Sequence, residues 1–198
     1  MTKAATPSAN QPGRGAPRDL EAEAFAAVAE AAERGHLLST EQVAALLLRT
    51  GRVHGPALLF DAWFGKAIDV RTLAAHVGRV WSLAEYPDAA LDRSAWREMF
   101  TLAGFTVDGQ PAERPADPVE LCRGSVPKRR TDWSWTTCRA VAEGYATGTG
   151  ARRPPTGRLY RTTAPPCALL ACNAGRGEDE YVLDTNGLAI VEVPLTHG

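Results

Sequence analysis

Three short segments each set a reactive polar residue in or beside an apolar, strand-like run: Leu121-Cys122-Arg123-Gly124, Trp133-Ser134-Trp135-Thr136 and Gly177-Glu178-Asp179-Glu180-Tyr181. An unpaired polar group is costly to bury, so residues placed in this way are candidates for a site. Arg123 closes its run and precedes Gly124, so its long side chain can reach over a cleft while the backbone turns away. Strand alternation puts Ser134 and Thr136 on one side of their run and Trp133 and Trp135 on the other. Glu178 and Glu180 stand two residues apart, a spacing that turns two carboxylates toward one substrate. Each residue also has a plain structural reading: a strand-end arginine, polar alternates on a half-buried strand, an edge-strand glutamate after a solvated turn.

Taken in order, the segments resemble the Arg / Ser-x-Thr / Glu-x-Glu signature of the mono-ADP-ribosyltransferase superfamily, in the clade that includes arginine-modifying bacterial toxins. The resemblance covers roughly the C-terminal 40% of the chain. It implies NAD as the donor substrate and breakage of the bond between nicotinamide and ribose through an oxocarbenium-like transition state, as in glycosidases. On that reading Glu180 stabilises the charge developing on the ribose and hydrogen-bonds a ribose hydroxyl. Ser134 orients Glu180, and Arg123 holds the phosphate and ribose of the dinucleotide. Thr136 belongs to the same hydroxyl pair. Glu178 activates an incoming guanidinium, which implies transfer to arginine. Trp135 stands where the family usually has threonine, a position whose side chain points away from the cleft. Tyr145 can offer a ring to nicotinamide, or pack in the core. The loop from Ala146 to Thr156, with Arg152 and Arg153, can close over phosphates, or remain a solvated loop.

Composition bounds these readings. The chain has 198 residues, 44% hydrophobic and 23% charged, enough for one good core or two small ones. No apolar run approaches the roughly 20 residues that span a bilayer, and Met1 to Arg18 has no secretory apolar region, so a cytoplasmic protein without membrane contact is expected. The formal net charge is -1, yet the stretch from Leu121 to Arg161 holds nine basic residues against Asp132 and Glu143. If those cations converge, their field would attract a pyrophosphate or a nucleic-acid backbone. Cys122, Cys138, Cys167 and Cys172 form no C-x-x-C pair and are read as reduced thiols. No histidine lies between Asp92 and Val193 to activate one of them, and His36, His54, His76 and His197 lack ligand spacing, so neither a cysteine enzyme nor a metal site is expected. No G-x-G-x-x-G joins a strand to a helix, so NAD would not be bound in the Rossmann manner.

The elements that must position these residues fall into two parts. Residues 1–18 read as a disordered tail, rich in Ala, Pro, Gly and Arg. From 19 to 105 the apolar period is helical. Leu20, Ala24, Ala27, Val28 and Ala31 share a face before Gly35, Ser39 and Gln42 have the spacing of a capping box, Pro56 opens a further segment, Val70 to Leu83 carries another stripe, and Asp92 caps the last helix. Trp63, Trp81 and Trp96 are packing anchors of this region. Residues 106–118, with three prolines, read as a linker. From 119 to 198 come short strands at 119–122, 133–136, 157–163, 168–172, 180–184 and 188–193, interrupted by one helix from Thr137 to Thr147 with Ala140, Val141, Gly144 and Tyr145 toward the sheet. The expected class is therefore α+β, a helical region followed by a small, mostly antiparallel ADP-ribosyltransferase-like β-fold.

The expected activity is transfer of ADP-ribose from NAD to a macromolecule, a protein or a nucleic acid. The helices, which the minimal transferase fold does without, would supply target recognition or regulation. Two alternatives keep the fold: a non-catalytic module that binds NAD or a partner, and an NAD glycohydrolase with water as acceptor.

Overall fold

A computed structural model describes residues 19–84, 86–148, 157–175 and 179–196. The N-terminal tail, the loop at 149–156 with Arg152 and Arg153, and Glu178 lie outside the described residues.

Local capping signals set the helix starts. Helix α1 (Leu20–Glu33) begins at Asp19, whose carboxylate accepts from the Ala22 amide, and it buries Ala24, Val28 and Ala31. Helix α2 (Thr40–Phe64) opens with the expected box: Ser39 Oγ accepts from the Gln42 amide at 3.3 Å, and Gln42 Oε1 accepts from the Ser39 amide at 2.8 Å. The non-helical backbone of Gly51 (φ 62°, ψ −165°) divides α2, and Pro56 lies just beyond that break. Helix α3 (Val70–Leu83) is capped by Asp69 and α5 (Arg93–Ala103) by Asp92, with the short α4 (Pro87–Ala90) between them.

Among the described residues from 106 onward, eight strands form one sheet: β1 (Thr106–Val107), β2 (Gln110–Pro111), β3 (Val119–Ser125), β4 (Ser134–Thr136), β5 (Arg158–Ala164), β6 (Leu169–Asn173), β7 (Glu180–Leu183) and β8 (Val191–Val193). Their order is β2-β1-β6-β7-β4-β3-β5-β8, and every pairing is antiparallel except β1 with β6. Helix α6 (Arg139–Thr147) follows β4 and ends at Gly148 in the left-handed conformation. The architecture is α+β, as expected.

Several details differ from the sequence reading, among them the strand end expected at Arg123: β3 runs on through Gly124 to Ser125, both paired with β5. The stretch read as a linker contains the hairpin β1–β2, whose two-residue turn Asp108-Gly109 has φ of 49° and 77°, the signature of a type I′ turn. Helix α6 buries Ala142 and Ala146, while Ala140 and Tyr145 are exposed.

Packing ties the helices to the sheet. The largest apolar cluster joins Leu59, Leu73, Val77, Trp81, Trp96 and Phe100 of the helices to Trp133, Leu170, Ala171 and Val182. Trp81 stacks on Trp133 with centroids 5.4 Å apart and meets Trp96 edge-on at 5.1 Å. The opposite face of the sheet buries Leu121, Trp135, Tyr160, Leu169 and Leu183. Trp133 and Trp135 thus enter different clusters, against the expected alternation, because Trp133 precedes the first paired residue of β4. Among the described residues, no helix is long and apolar enough to cross a membrane.

Candidate active site

Strand register decides which side chains share a face. Thr136 is opposite Glu180 and Ser134 opposite Val182, so Ser134, Thr136 and Glu180 point toward the side covered by α3 and α6. Cys122 is opposite Thr136 and belongs to that face, with Gly124 two residues on. Gly124 lets α6 come down onto β3: a Cβ there would stand 1.9 Å from Ala142 O and 2.5 Å from Ala146 N. Helix α3 approaches β6 in a similar way at Gly78, where a Cβ would meet Asn173 Oδ1 at 2.9 Å. Between the two helices lies a cleft of about 220 Å³, lined by Trp81, Ser82, Arg123, Ser134, Thr136, Tyr145 and Glu180 among others.

All of the sequence-derived site residues within the described chain therefore border one cleft, but their bonding differs from the expectation. Ser134 Oγ accepts from the Trp81 indole at 3.0 Å, and no bond joins it to Glu180. Glu180 Oε2 instead accepts from Ser82 Oγ, and Ser82 Oγ accepts from Asn173 Nδ2 at 2.8 Å. Thr136 Oγ1 accepts from the Cys138 amide at 3.0 Å, joining β4 to the start of α6. Tyr145 is 43% exposed, so its ring belongs to the cleft wall and not to the core.

Arg123 departs further. It alternates with Cys122 and pairs with Tyr160, so its Cβ leaves the sheet on the face opposite Glu180, and the side chain reaches the end of the cleft from there. The guanidinium donates to Arg129 O at 3.1 Å, to Ser134 O, and to Asp132 Oδ2 at 3.1 Å. Arg129 also reaches Asp132 at 2.6 Å, and Arg93 links Asp132 (3.4 Å) to Asp88 (2.8 Å). Three guanidiniums thus meet two carboxylates, and of this cluster Arg123, Arg129, Asp88 and Asp132 line the cleft.

A second cavity, of about 350 Å³, lies on the other side of the Ser82–Glu180 bond, bordered by His76, Arg79, Asp108 and Asn173. Asp108 Oδ1 accepts from the amides of Ala174 (2.9 Å) and Gly175 (3.1 Å), anchoring the start of the segment that leads to Glu178. Burial pushes the Cys122 thiol up, which makes this residue of the cleft a poor nucleophile at neutral pH. All four cysteines are free, and among the described residues no three His, Cys, Asp or Glu side chains gather as a metal site would require.

Comparison with protein-family models, with curated proteins and with solved structures yields no match.

Trp81, Ser82, Asn173 and Asp108 were not among the expected site residues. Asp108-Gly109 carries a local hairpin signal; Ser82 and Asn173 have none, being single polar residues within apolar runs.

Proposed function

We propose that the cleft between α3 and α6 takes the nicotinamide–ribose end of NAD and that the chain is a mono-ADP-ribosyltransferase. The observation that carries this reading is the gathering of Ser134, Thr136, Tyr145, Glu180 and the Arg123–Arg129–Asp132 cluster around one cleft. A space of about 220 Å³ is below the roughly 300–1,000 Å³ of whole-ligand pockets, so only one end of a dinucleotide fits inside it. The pyrophosphate then lies against the Arg123–Arg129 end, where Arg123 acts by fixing the 129–134 loop.

In the reaction the C1′–N bond of the nicotinamide riboside breaks, and nicotinamide leaves with the bonding electron pair. Glu180 faces the ribose as positive charge develops there. An acceptor nitrogen bonds to C1′ and gives up its proton, in this scheme to Glu178. A protein arginine is the acceptor the Glu-x-Glu pair favours, with nucleic acid as the other class that the basic stretch suits.

Two observations favour the non-catalytic alternative: both Glu180 and Arg123 already have internal partners, and Arg123 leaves the sheet on the face opposite Glu180. The deciding measurement is nicotinamide release, and label transfer to lysate macromolecules, from NAD labelled in its adenylate phosphate. Glu180→Gln retains a partner for Ser82 and removes the charge, so it should lower turnover by about 10²-fold or more at nearly unchanged Tm. Undiminished turnover in that variant would refute the role of Glu180, and NAD binding by wild type without nicotinamide release would leave a binding module.

A further inference from the structure

The carboxylate of Glu180 is held by a helix outside the three-segment signature. Asn173 and Glu180 are directly opposed across β6 and β7, and Ser82 comes down on both from α3. Asn173 Nδ2 donates to Ser82 Oγ at 2.8 Å and to Gly78 O at 3.3 Å. A carbonyl can only accept, so Gly78 O sets which end of the Asn173 amide faces α3. Ser82 Oγ, accepting from that amide, has its single hydrogen left to donate, and that hydrogen goes to Glu180 Oε2. Gly78 allows the close approach, because a Cβ there would be 2.9 Å from Asn173 Oδ1. Ser134, the residue of the signature expected to orient Glu180, is engaged by Trp81 instead.

We propose that Ser82 and Asn173 are the positioning residues of Glu180: the directed chain from the Asn173 amide through the Ser82 hydroxyl fixes the carboxylate in one rotamer beside the cleft. This assignment rests on the catalytic role given to Glu180 above. Without Ser82 the carboxylate is free to turn toward the second cavity, which it also borders. Displacing a reacting group by an ångström or so costs up to about 10²-fold in rate.

The test uses the full chain and four variants: Ser82→Ala, Ser82→Thr, Glu180→Gln and the Ser82→Ala/Glu180→Gln double. Ser82→Ala should lower kcat for nicotinamide release by about 10- to 100-fold with KM changed by less than about 2-fold. Ser82→Thr, which keeps the hydroxyl, should recover most of the rate. In the Glu180→Gln background, Ser82→Ala should cost nothing further, since the group it positions is already inactive. Equal losses from Ser82→Ala with and without Glu180 would overturn the proposal and leave Ser82 as a packing residue. A reading independent of turnover comes from three-bond scalar couplings that report the Glu180 χ1: one rotamer in wild type and Ser82→Thr, averaging in Ser82→Ala. A single unchanged rotamer in all three overturns the positioning role whether or not the protein cleaves NAD, whereas absent turnover with the averaging intact counts against the transferase reading alone.

Discussion

Trp81 on α3 donates its indole N–H to the hydroxyl of Ser134 on β4 at 3.0 Å, 53 residues along the chain. The next residue, Ser82, binds Glu180. The helical region therefore builds one wall of the cleft and shares its core with the sheet through Trp133, Leu170, Ala171 and Val182. Removing residues 1–103, which would spare NAD cleavage if the helices were an appended recognition unit, should instead give a protein without a cooperative thermal transition and without nicotinamide release. A soluble, folded 104–198 fragment with wild-type turnover would contradict this.

Gly124 should not accept a side chain. A Cβ at 1.9 Å from Ala142 O meets backbone, which cannot rotate away, so α6 must lift from β3. We expect Gly124→Ala to lower stability by about 2–3 kcal/mol or more in denaturant titration and to weaken NAD binding, since α6 carries Tyr145. An unaltered midpoint would mean that the α6–β3 contact is looser than described.

His76 should make stability depend on pH. Burial lowers its pKa from the ordinary 6.5, with Arg79 adding to the effect while the bond to Thr40 O and the charge of Glu41 oppose it. The folded-state value is depressed, so below about 6.5 the unfolded chain binds more protons than the folded one. The contribution of His76 is complete above that pH and declines as pH falls from there toward the folded-state value. Unfolding free energy should drop between pH 7.5 and 5.5, and His76→Gln, which retains an N–H for Thr40 O, should flatten that slope. Equal slopes in the two proteins would place the titration elsewhere.

Glu178 tests the acceptor half of the reaction. Glu178→Ala should abolish transfer to arginine while leaving hydrolysis of NAD to water largely intact, because in the proposed scheme the donor half-reaction depends on Glu180. Asp108→Ala, which frees the Ala174 and Gly175 amides, should affect transfer in the same direction by loosening the segment before Glu178. Loss of both activities together in Glu178→Ala would assign that residue to NAD binding.

What was legible in the sequence was mainly what is local. The N-caps at Ser39 and Asp92 and the strand carrying Glu180 depend on neighbours a few residues away, and all are found where expected. The hairpin at Asp108-Gly109 was equally local, but the prolines around it suggested a linker. The gathering of Arg123, Ser134 and Glu180 around one cleft could be anticipated from motif order, whereas their partners could not. Ser82 and Glu180 are 98 residues apart, and nothing in a helical stripe marks which serine will face a carboxylate. Arg123 shows the same limit, since its approach from the far face follows from the register of β3 against β4.

The sheet order also has a consequence for synthesis. Helices α1 to α5 leave the ribosome before the strands, but the apolar surface they present is covered by Trp133, Leu170, Ala171 and Val182, all made later. Strand β1 waits in the same way for β6, its parallel neighbour, more than sixty residues downstream. A nascent chain halted before β7 has an unfinished core, an open strand edge and no Glu180, a state prone to chaperone capture or aggregation. Glu180 and the residues that bury the helical surface thus arrive in the same late event, so a truncated translation product should be a substrate for degradation.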